Sequence, residues 1–322
     1  MKLFHNASYR FIEMRRTAYV VSGIVLITGI AGMSWNIASL GSWQNYGVDF
    51  LGGSLVQVRF EGTVTDEQIR TALGGVSAPE VTRFGQENEY VIRASIEEDA
   101  SITEVAENLE SQLNAGLSDL NFEVVRTELV GAKVGGELQR DALFAILFSF
   151  LLTLIYIAMR FELRFGLAAV IATAHDILIT LGFLALFRIE IALPTVAAIL
   201  TILGYSLNDT IVVFDRIREE LLMNPVTNLR KIILIAINRV LSRSILTSVT
   251  TLMAALSLWI FGAGVINDFA FVFVIGILTG TFSSIFIASP VFYWWHNGDR
   301  KHVEEGEFLP KYDWQTSSKT SG

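Results

Sequence analysis

Six stretches of the sequence are long and apolar enough to cross a lipid bilayer, and no other feature constrains the fold as strongly. A transmembrane helix needs about 20 mainly apolar residues. Only 17% of all residues are charged, whereas about 25% are charged in a typical soluble domain. The sequence therefore predicts a polytopic α-helical membrane protein with six transmembrane helices. The stretches cover residues 18–40, 141–159, 165–187, 191–214, 244–262 and 268–295, and the last five form a membrane region at 140–295.

Basic residues indicate how the chain is oriented in the membrane. Lys and Arg precede the first stretch, follow the sixth, and fill the connections after the second and fourth. All these positions lie on one side if the helices alternate, so we expect a cytoplasmic N-terminus (1–17) and a cytoplasmic tail (296–322). The first stretch is too long for a removable signal peptide and lacks a small-residue cleavage site, so we expect it to remain as an anchor.

Residues 41–139 form the one long connection on the opposite side, and we expect a folded domain there. Apolar spacing predicts the order strand, helix, strand, strand, helix, strand. The second helix begins with Ser-x-x-Glu, which is a capping-box signal. This order is typical of a ferredoxin-like α+β sandwich. Acidic residues far outnumber basic ones in this segment, which argues against a nucleic-acid partner.

An amphipathic segment follows the fourth stretch, near residues 228–242. Its apolar residues recur at helical spacing, and its Lys and Arg residues lie largely off this stripe. We expect this segment to lie in the cytoplasmic interface as a helix, with its basic side chains facing the headgroups of the membrane lipids.

Acidic side chains inside the apolar stretches are the main candidates for function. An ionised carboxylate at the bilayer centre costs at least about 2.5 kcal/mol, so it should not persist there without a use. Asp209 lies well inside the fourth stretch, and we favour a functional role for it. Asp215 lies at the cytoplasmic end beside Arg216 and Arg218, so an interfacial ion pair is the better interpretation there.

Three other polar side chains each allow two interpretations. His175 and Asp176 lie in the middle of the third stretch, where they either lock two helices together by a hydrogen bond or take part in function. Arg243 opens the fifth stretch, where it either extends to the headgroups or acts as a counter-charge for a buried carboxylate.

Metal and cofactor chemistry have little support in the sequence. There is no cysteine, and the four histidines are scattered along the chain, which is too few for a metal cluster. The 41–139 segment offers no nucleophile beside a base. We therefore expect no cofactor and no catalytic residues.

Four motifs resemble the SecF proteins of the SecD/SecF protein-export family, and they occur in the family's order. They are GVDFLGGS after the first stretch, GYSLNDTIVVFDRIRE at the end of the fourth, LSRSILTSVTTL opening the fifth and NDFAFVFVIGILTGTFSSIFIASP in the sixth. The resemblance covers nearly the whole chain except the C-terminal tail. It implies one half of an RND-superfamily transporter in the bacterial inner membrane, with a periplasmic ferredoxin-like domain between the first two helices.

The resemblance also implies partners and an energy source. SecD would supply the other half, and the pair would assist the SecYEG channel and SecA, with YajC as a further partner, in the export of unfolded polypeptides. Protons would be the coupling ion, driven by the proton-motive force. The family's proton-coupling positions fall on Asp209, Arg243 and Asp268.

The first motif contributes Asp49, Gly52 and Gly53, at the entry to the periplasmic domain. Taken alone, Gly52 and Gly53 indicate only a turn that leads into a strand.

Two other functions are consistent with buried acids in a membrane protein. An intramembrane aspartyl protease would use Asp176 and Asp209 to activate water, but its Gly-x-Gly-Asp signature is absent, since YSLND stands in that place. A stand-alone RND-type exporter would need a duplicated twelve-helix body, which this chain provides only if it dimerises.

Overall fold

The computed structural model describes residues 9–74, 79–84, 88–94, 102–117, 120–224, 227–262 and 265–296. Its elements in chain order are α1 (Phe11–Leu40), β1 (Asn45–Tyr46), α2 (Val48–Leu51), β2 (Gly53–Phe60), α3 (Asp66–Ala72), β3 (Glu80–Phe84), β4 (Glu89–Ala94), α4 (Ile102–Gly116), β5 (Phe122–Val130), α5 (Ala132–Arg160), α6 (Leu163–Phe187), β6 (Glu190–Ile191), α7 (Leu193–Met223), α8 (Leu229–Phe261), α9 (Val265–Ser283), a π-helical turn (Ser284–Ala288) and α10 (Ser289–Trp295).

Six helical segments within the described residues are long and apolar enough to cross a membrane. Five are α1, α5, α6, α7 and α8, and the sixth runs from α9 through the π-helical turn to α10. The predicted fold class is therefore confirmed. Helices α5 and α7 extend beyond the predicted apolar stretches, because the helical hydrogen-bond pattern continues through polar residues.

The helices form an inner and an outer group. About half or more of the apolar window of α6, α7 and the sixth segment is buried inside the protein, whereas α1, α5 and α8 leave most of theirs exposed. On α5 the exposed side chains include Leu143, Phe144, Leu147 and Phe148. Such a surface suits contact with lipid or with the helices of another membrane protein.

Two glycines bring α1 and α6 together. A Cβ atom on Gly182 of α6 would lie 2.9 Å from the Cα atom of Gly29 on α1, and a Cβ on Gly29 would lie 2.8 Å from the Cα of Gly182. The two backbones are therefore in direct contact. Small residues allow this kind of close packing between membrane helices.

Glycines also set the approach of α9 to α7. Gly276 lies against Ile202, where an added Cβ would come within 2.2 Å of the Ile202 Cδ1 atom. Gly280 lies against Ser206, with 3.0 Å between an added Cβ and the Ser206 Cβ. The backbone of α9 thus reaches the polar side chains of α7, which the site below requires.

The soluble domain between α1 and α5 has the predicted ferredoxin-like topology. Its four strands are antiparallel in the order β3-β4-β2-β5. Helices α3 and α4 supply Ile69 and Leu113 to the same core as Val56, Val58 and Ile92 of the sheet. Alternate strand residues point to opposite faces, so the other face of the sheet is left free of these two helices.

The predicted amphipathic helix near 228–242 is not a separate element. These residues form the first half of α8, which continues directly into the fifth membrane segment. Its apolar stripe, including Leu229, Ile233 and Ile237, is fully buried in a cluster with Ile12 of α1 and Ile217 of α7. An apolar stripe at helical spacing suits a lipid surface or a protein core equally well, and here the protein core covers it.

Candidate functional site

Asp209 lies near the middle of α7, and its side chain is only 6% exposed. Ser248 of α8 donates a hydrogen bond from its Oγ to the Oδ2 atom of Asp209 over 3.3 Å, and Thr281 of α9 donates to Ser248 over 2.7 Å. Ser244, one turn earlier on α8, is buried near the same carboxyl group. The carboxyl group of Asp209 thus lies at the junction of three helices and contacts hydroxyl groups.

Arg243 is exposed on α8, and within the described residues no ion pair joins it to Asp209. It is close enough for its charge to attract the Asp209 carboxylate. A counter-charge role for Arg243 would therefore be an attraction over some distance, without direct contact. A long basic side chain can reach the headgroups from the same position, so the two interpretations are compatible.

Asp268 lies at a different level of the protein. It is in the first turn of α9, thirteen residues before Thr281, which corresponds to about 20 Å along the helix. It lines a groove of about 890 Å³ between the free face of the soluble-domain sheet and the adjacent ends of α6, α7, α8 and α9. Arg93 of β4 and Glu190 of β6 form an ion pair in this groove, and their charges act on Asp268. Asp268 and Asp209 therefore do not share a site.

His175 and Asp176 lie at the centre of a hydrogen-bond network within the helix bundle. Asp176 is completely buried, and its Oδ2 atom accepts hydrogen bonds from Ser206 of α7 over 2.6 Å and Ser283 of α9 over 2.7 Å. Its Oδ1 atom lies 3.0 Å from Nδ1 of His175, and Nε2 of His175 lies 2.6 Å from Oγ of Ser22 on α1. These hydrogen bonds join four helices, α1, α6, α7 and α9, as the helix-locking interpretation predicts.

Asp215 forms an ion pair with Arg160 at the end of α5, with 3.7 Å between Oδ1 and Nη2 and both side chains more than half exposed. An ion pair is what the sequence predicts, although the partner is on another helix. The more buried acid nearby is Glu220, which is 1% exposed and paired with Arg216 and Arg239. Glu220 was not among the acids predicted from the sequence, although its position four residues after Arg216 is suited to an ion pair within one helix.

The segment that contains Asp49, Gly52 and Gly53 joins the soluble domain to the membrane helices. The backbone N–H of Leu193, at the start of α7, donates to Oδ2 of Asp49 over 2.8 Å. Gly52 and Gly53 have φ angles of 72° and 128°, which residues other than glycine rarely adopt. A Cβ on Gly135 of α5 would lie 2.9 Å from the backbone N of Gly52. The glycine pair is therefore a point of close backbone packing as well as a turn.

Strand pairing strengthens the same junction. Strand β1, just before Asp49, runs parallel to β6, with Asn45 opposite Glu190 and Tyr46 opposite Ile191. The N–H of Gly47 donates to the carbonyl oxygen of Ile191 over 2.9 Å. Helix α7, which carries Asp209, therefore begins directly at a contact with the soluble domain.

The hydroxyl groups that hold the two buried acids, His175 and each other in place are the main feature that could not be predicted from the sequence. Ser22, Ser248, Thr281 and Ser283 are ordinary small residues of apolar stretches, where Ser and Thr often bond only to their own helix. Their role depends on which neighbouring helix faces them. Within the described residues, no group of three or more His, Cys, Asp or Glu side chains is placed to hold a metal ion.

The arrangement can bind and release protons. Each buried carboxyl group contacts hydroxyl groups, which can donate to an ionised carboxylate and accept from a protonated one. Asp176 and Asp209 contact different hydroxyls, and within the described residues no hydrogen bond joins the two carboxyl groups. An aspartyl protease instead places two carboxyl groups close enough to share one proton, so this geometry does not favour a protease.

Comparison with known proteins agrees with these features. Residues 110–298, more than half of the chain, match the family described as "Protein export membrane protein SecD/SecF, C-terminal". Residues 45–64, which include Asp49 and both glycines, match the "SecD/SecF GG Motif".

Among curated relatives, the chain is 42% identical over 303 residues to "Protein translocase subunit SecF" of Gemmatimonas aurantiaca, with 91% of this chain and 89% of the relative covered. It is 44% identical over 289 residues to the protein of the same name from Desulfurispirillum indicum, with 88% and 90% covered.

Two solved structures share the fold. One is SecDF, a translocon-associated membrane protein from Thermus thermophilus, with a TM-score of 0.79 and 34% identity over 91% of this chain. The other is SecDF in a super-membrane-facing form, with a TM-score of 0.65. The match covers 39% of each SecDF chain. Taken with the family match and relatives more than 40% identical over most of its length, these similarities establish that the chain belongs to the SecD/SecF family of protein export membrane proteins.

Proposed function

We propose that this chain is a subunit of the Sec protein translocase that works with SecD and uses the proton-motive force to promote export of unfolded polypeptides. The observation that carries this proposal is the buried carboxyl group of Asp209, which contacts hydroxyl groups and has no ion-pair partner among the described residues. A carboxyl group held in this way can change its charge without breaking an ion pair.

Proton binding would alter the contacts between three helices. An ionised Asp209 accepts the hydrogen bond of Ser248 and is attracted by Arg243. A proton removes the charge and with it most of that attraction. The two charge states therefore stabilise different arrangements of α7, α8 and α9, so proton occupancy shifts the balance between them. One charge that crosses the membrane field releases about 2.3 kcal/mol per 100 mV.

The soluble domain would receive this movement through the start of α7. Asp49 binds the backbone of Leu193 there, and β1 pairs with β6 just before it. We propose that the domain moves and binds exported chains without catalysing a reaction, and that the coupling ion is the proton with no further cofactor.

The proposed partners follow from the family and from the exposed helices. The SecDF chain is much longer than this one, since the match covers 39% of it. The apolar outer surfaces of α5 and α8 are suited to contact the helices of SecD. We propose SecYEG and SecA as the translocase components that the pair assists, with YajC as an additional partner, and no nucleic acid.

Co-purification tests this assignment against the two alternatives. We expect the full chain, tagged and extracted in a gentle detergent from its native membrane, to bring SecD with it in a fixed ratio. A stand-alone exporter would bring only further copies of itself, because it needs a second six-helix half. A protease would need neither. Recovery of the chain alone or only as a homo-oligomer, from membranes that contain SecD, would contradict the proposal.

We propose the bacterial inner membrane as the location, with both termini in the cytoplasm and the soluble domain in the periplasm. The distribution of Lys and Arg supports this orientation. A reporter enzyme active only in the periplasm should be inactive when fused after Gly322 and active when inserted at Ala78. The reverse pattern of activity would mean the opposite orientation.

A further inference from the structure

The pair formed by His175 and Asp176 is a buried polar feature that the mechanism above leaves unused. It lies about 17 to 20 Å from either end of α6, so it is near the middle of a membrane-spanning helix. Asp176 is completely buried and His175 is 8% exposed. Titratable side chains at this depth are expensive and usually take part in function.

Every hydrogen bond of the two side chains goes to the other member of the pair or to a hydroxyl group. Ser206 and Ser283 donate to one oxygen of Asp176, His175 contacts the other oxygen, and Ser22 contacts the far nitrogen of His175. Among the described residues, neither Lys nor Arg forms an ion pair with Asp176. The pair therefore has no fixed positive charge in contact with it.

The same positions of the heavy atoms can hold the network with or without an additional proton. Without it, His175 is neutral, its Nδ1–H donates to Asp176, and the Ser22 hydroxyl donates to Nε2. With it, Nε2–H donates to the Ser22 oxygen instead, since a hydroxyl can both donate and accept. The first state has a net charge of −1 and the second is neutral. A net charge near the bilayer centre costs at least about 2.5 kcal/mol, so burial favours the neutral state.

In the described part of the chain, three other titratable side chains lie within one helical turn of the residues that contact the pair. They are Tyr19 on α1, and Tyr205 and Asp209 on α7; the Tyr205 hydroxyl bonds to Thr251 of α8. Asp268 on α9 lies fifteen residues before Ser283. The remaining charged side chains of α1, α5, α6 and α7 lie near the helix ends. None of these side chains supplies the pair with a contacting positive charge.

We propose that His175 and Asp176 form a second proton-binding site of the membrane domain, distinct from Asp209 and connected to it through α7. Ser206, which binds Asp176, precedes Asp209 by three residues and lies on Gly280 of α9. The π-helical turn begins directly after Ser283, and such turns inside helices often occur at functional sites. Loss of the proton leaves a net negative charge in the network and reverses the direction of the hydrogen bond between His175 and Ser22 of α1. The link to export rests on the proposed function, whereas proton binding by the pair does not.

Spectroscopy of the full chain in lipid nanodiscs tests the proposal. ¹⁵N NMR of labelled histidine reports whether the His175 ring carries one proton or two, and infrared spectroscopy reports a protonated Asp176 carboxyl group. We expect the pair to carry one additional proton, which is seen either by NMR on the His175 ring or by infrared spectroscopy on the Asp176 carboxyl group. This proton should be released as the pH is raised. Asp176→Asn should remove the signal, and Thr173→Val, a buried change on α6 whose hydroxyl bonds only to its own helix, should leave it unchanged.

The variant His175→Gln tests the proton-binding proposal even if Asp176→Asn fails to fold. Without the imidazole, the neutral state requires the proton on Asp176, so the infrared signal should gain one protonated carboxyl group. The proposal is wrong if wild-type His175 is neutral and Asp176 ionised throughout the pH range of the folded protein, or if Asp176 stays ionised in His175→Gln. Because these signals do not involve transport, they remain informative even if Asp209 has no part in gradient-driven export.

Discussion

Asp209→Asn is expected to abolish the part of protein export that depends on the proton gradient, while the protein still inserts and still binds SecD. Asn has nearly the volume of Asp and keeps an acceptor for the Ser248 hydroxyl, so the packing of the three helices should be retained. It cannot bind and release a proton, and it cannot be attracted by Arg243. The measurement is the rate of export into membrane vesicles with and without an ionophore, at matched amounts of intact complex.

Asp215→Asn is the matched control, because it makes the same substitution on the same helix. Asp215 is more than half exposed and pairs with Arg160 over 3.7 Å, and exposed ion pairs contribute only about 0 to 1 kcal/mol. We expect this variant to respond to the gradient as the wild type does. Arg243→Met should resemble Asp209→Asn, because it removes the charge that favours the ionised carboxylate. Full gradient-dependent export in Asp209→Asn would refute a proton-carrying role for this residue.

Gly182→Leu should prevent stable assembly of α1 with α6. A single Cβ at this position already lies 2.9 Å from the Cα of Gly29, and a backbone atom cannot move aside as a flexible side chain can. Overpacking of a core typically costs about 1–3 kcal/mol, and a backbone contact lies at or above the upper end. The separation would also pull Ser22 away from His175. We expect strongly reduced accumulation of the protein and a lower melting temperature of what remains.

Gly204→Leu is the control for this prediction. Gly204 is on α7, is exposed, and has no atom within 4 Å of an added Cβ, so a larger apolar side chain has room at this position. This variant should accumulate normally. If Gly182→Leu accumulates and melts as Gly204→Leu does, the direct contact between the backbones of α1 and α6 does not exist in the membrane.

The sequence was sufficient for the parts of the fold that depend on local pattern. Length and hydropathy identified six membrane segments, and alternating or helical spacing identified the strands and helices of the soluble domain in the correct order. Both follow from the period of the side chains along one element. The same kind of pattern was ambiguous near 228–242, where an apolar stripe indicated a helix but could not indicate what would cover it.

The acids show the same division between local and tertiary information. A carboxyl group inside an apolar stretch is visible in the sequence, so Asp176 and Asp209 could be named as candidates, and the family motif added Asp268. The hydroxyl partners of Asp176 and Asp209 could not be predicted, because Ser206, Ser248 and Ser283 come from three different helices that meet only in the bundle. The sequence likewise did not show how far apart Asp268 and Asp209 lie, whereas in the structure about 20 Å of α9 separates Asp268 from Thr281.

By itself, the sequence determined that this chain crosses the membrane six times, that it carries a ferredoxin-like domain after the first crossing, and that two acids are buried within the membrane segments. Only the tertiary structure decided which hydroxyl groups hold those acids, that His175 and Asp176 join four helices, and that Asp49 connects the soluble domain to α7. The physical reason is that hydropathy and periodicity act along one segment, whereas a hydrogen bond between helices depends on their relative rotation and distance. Glycines such as Gly29, Gly182 and Gly280 set that distance.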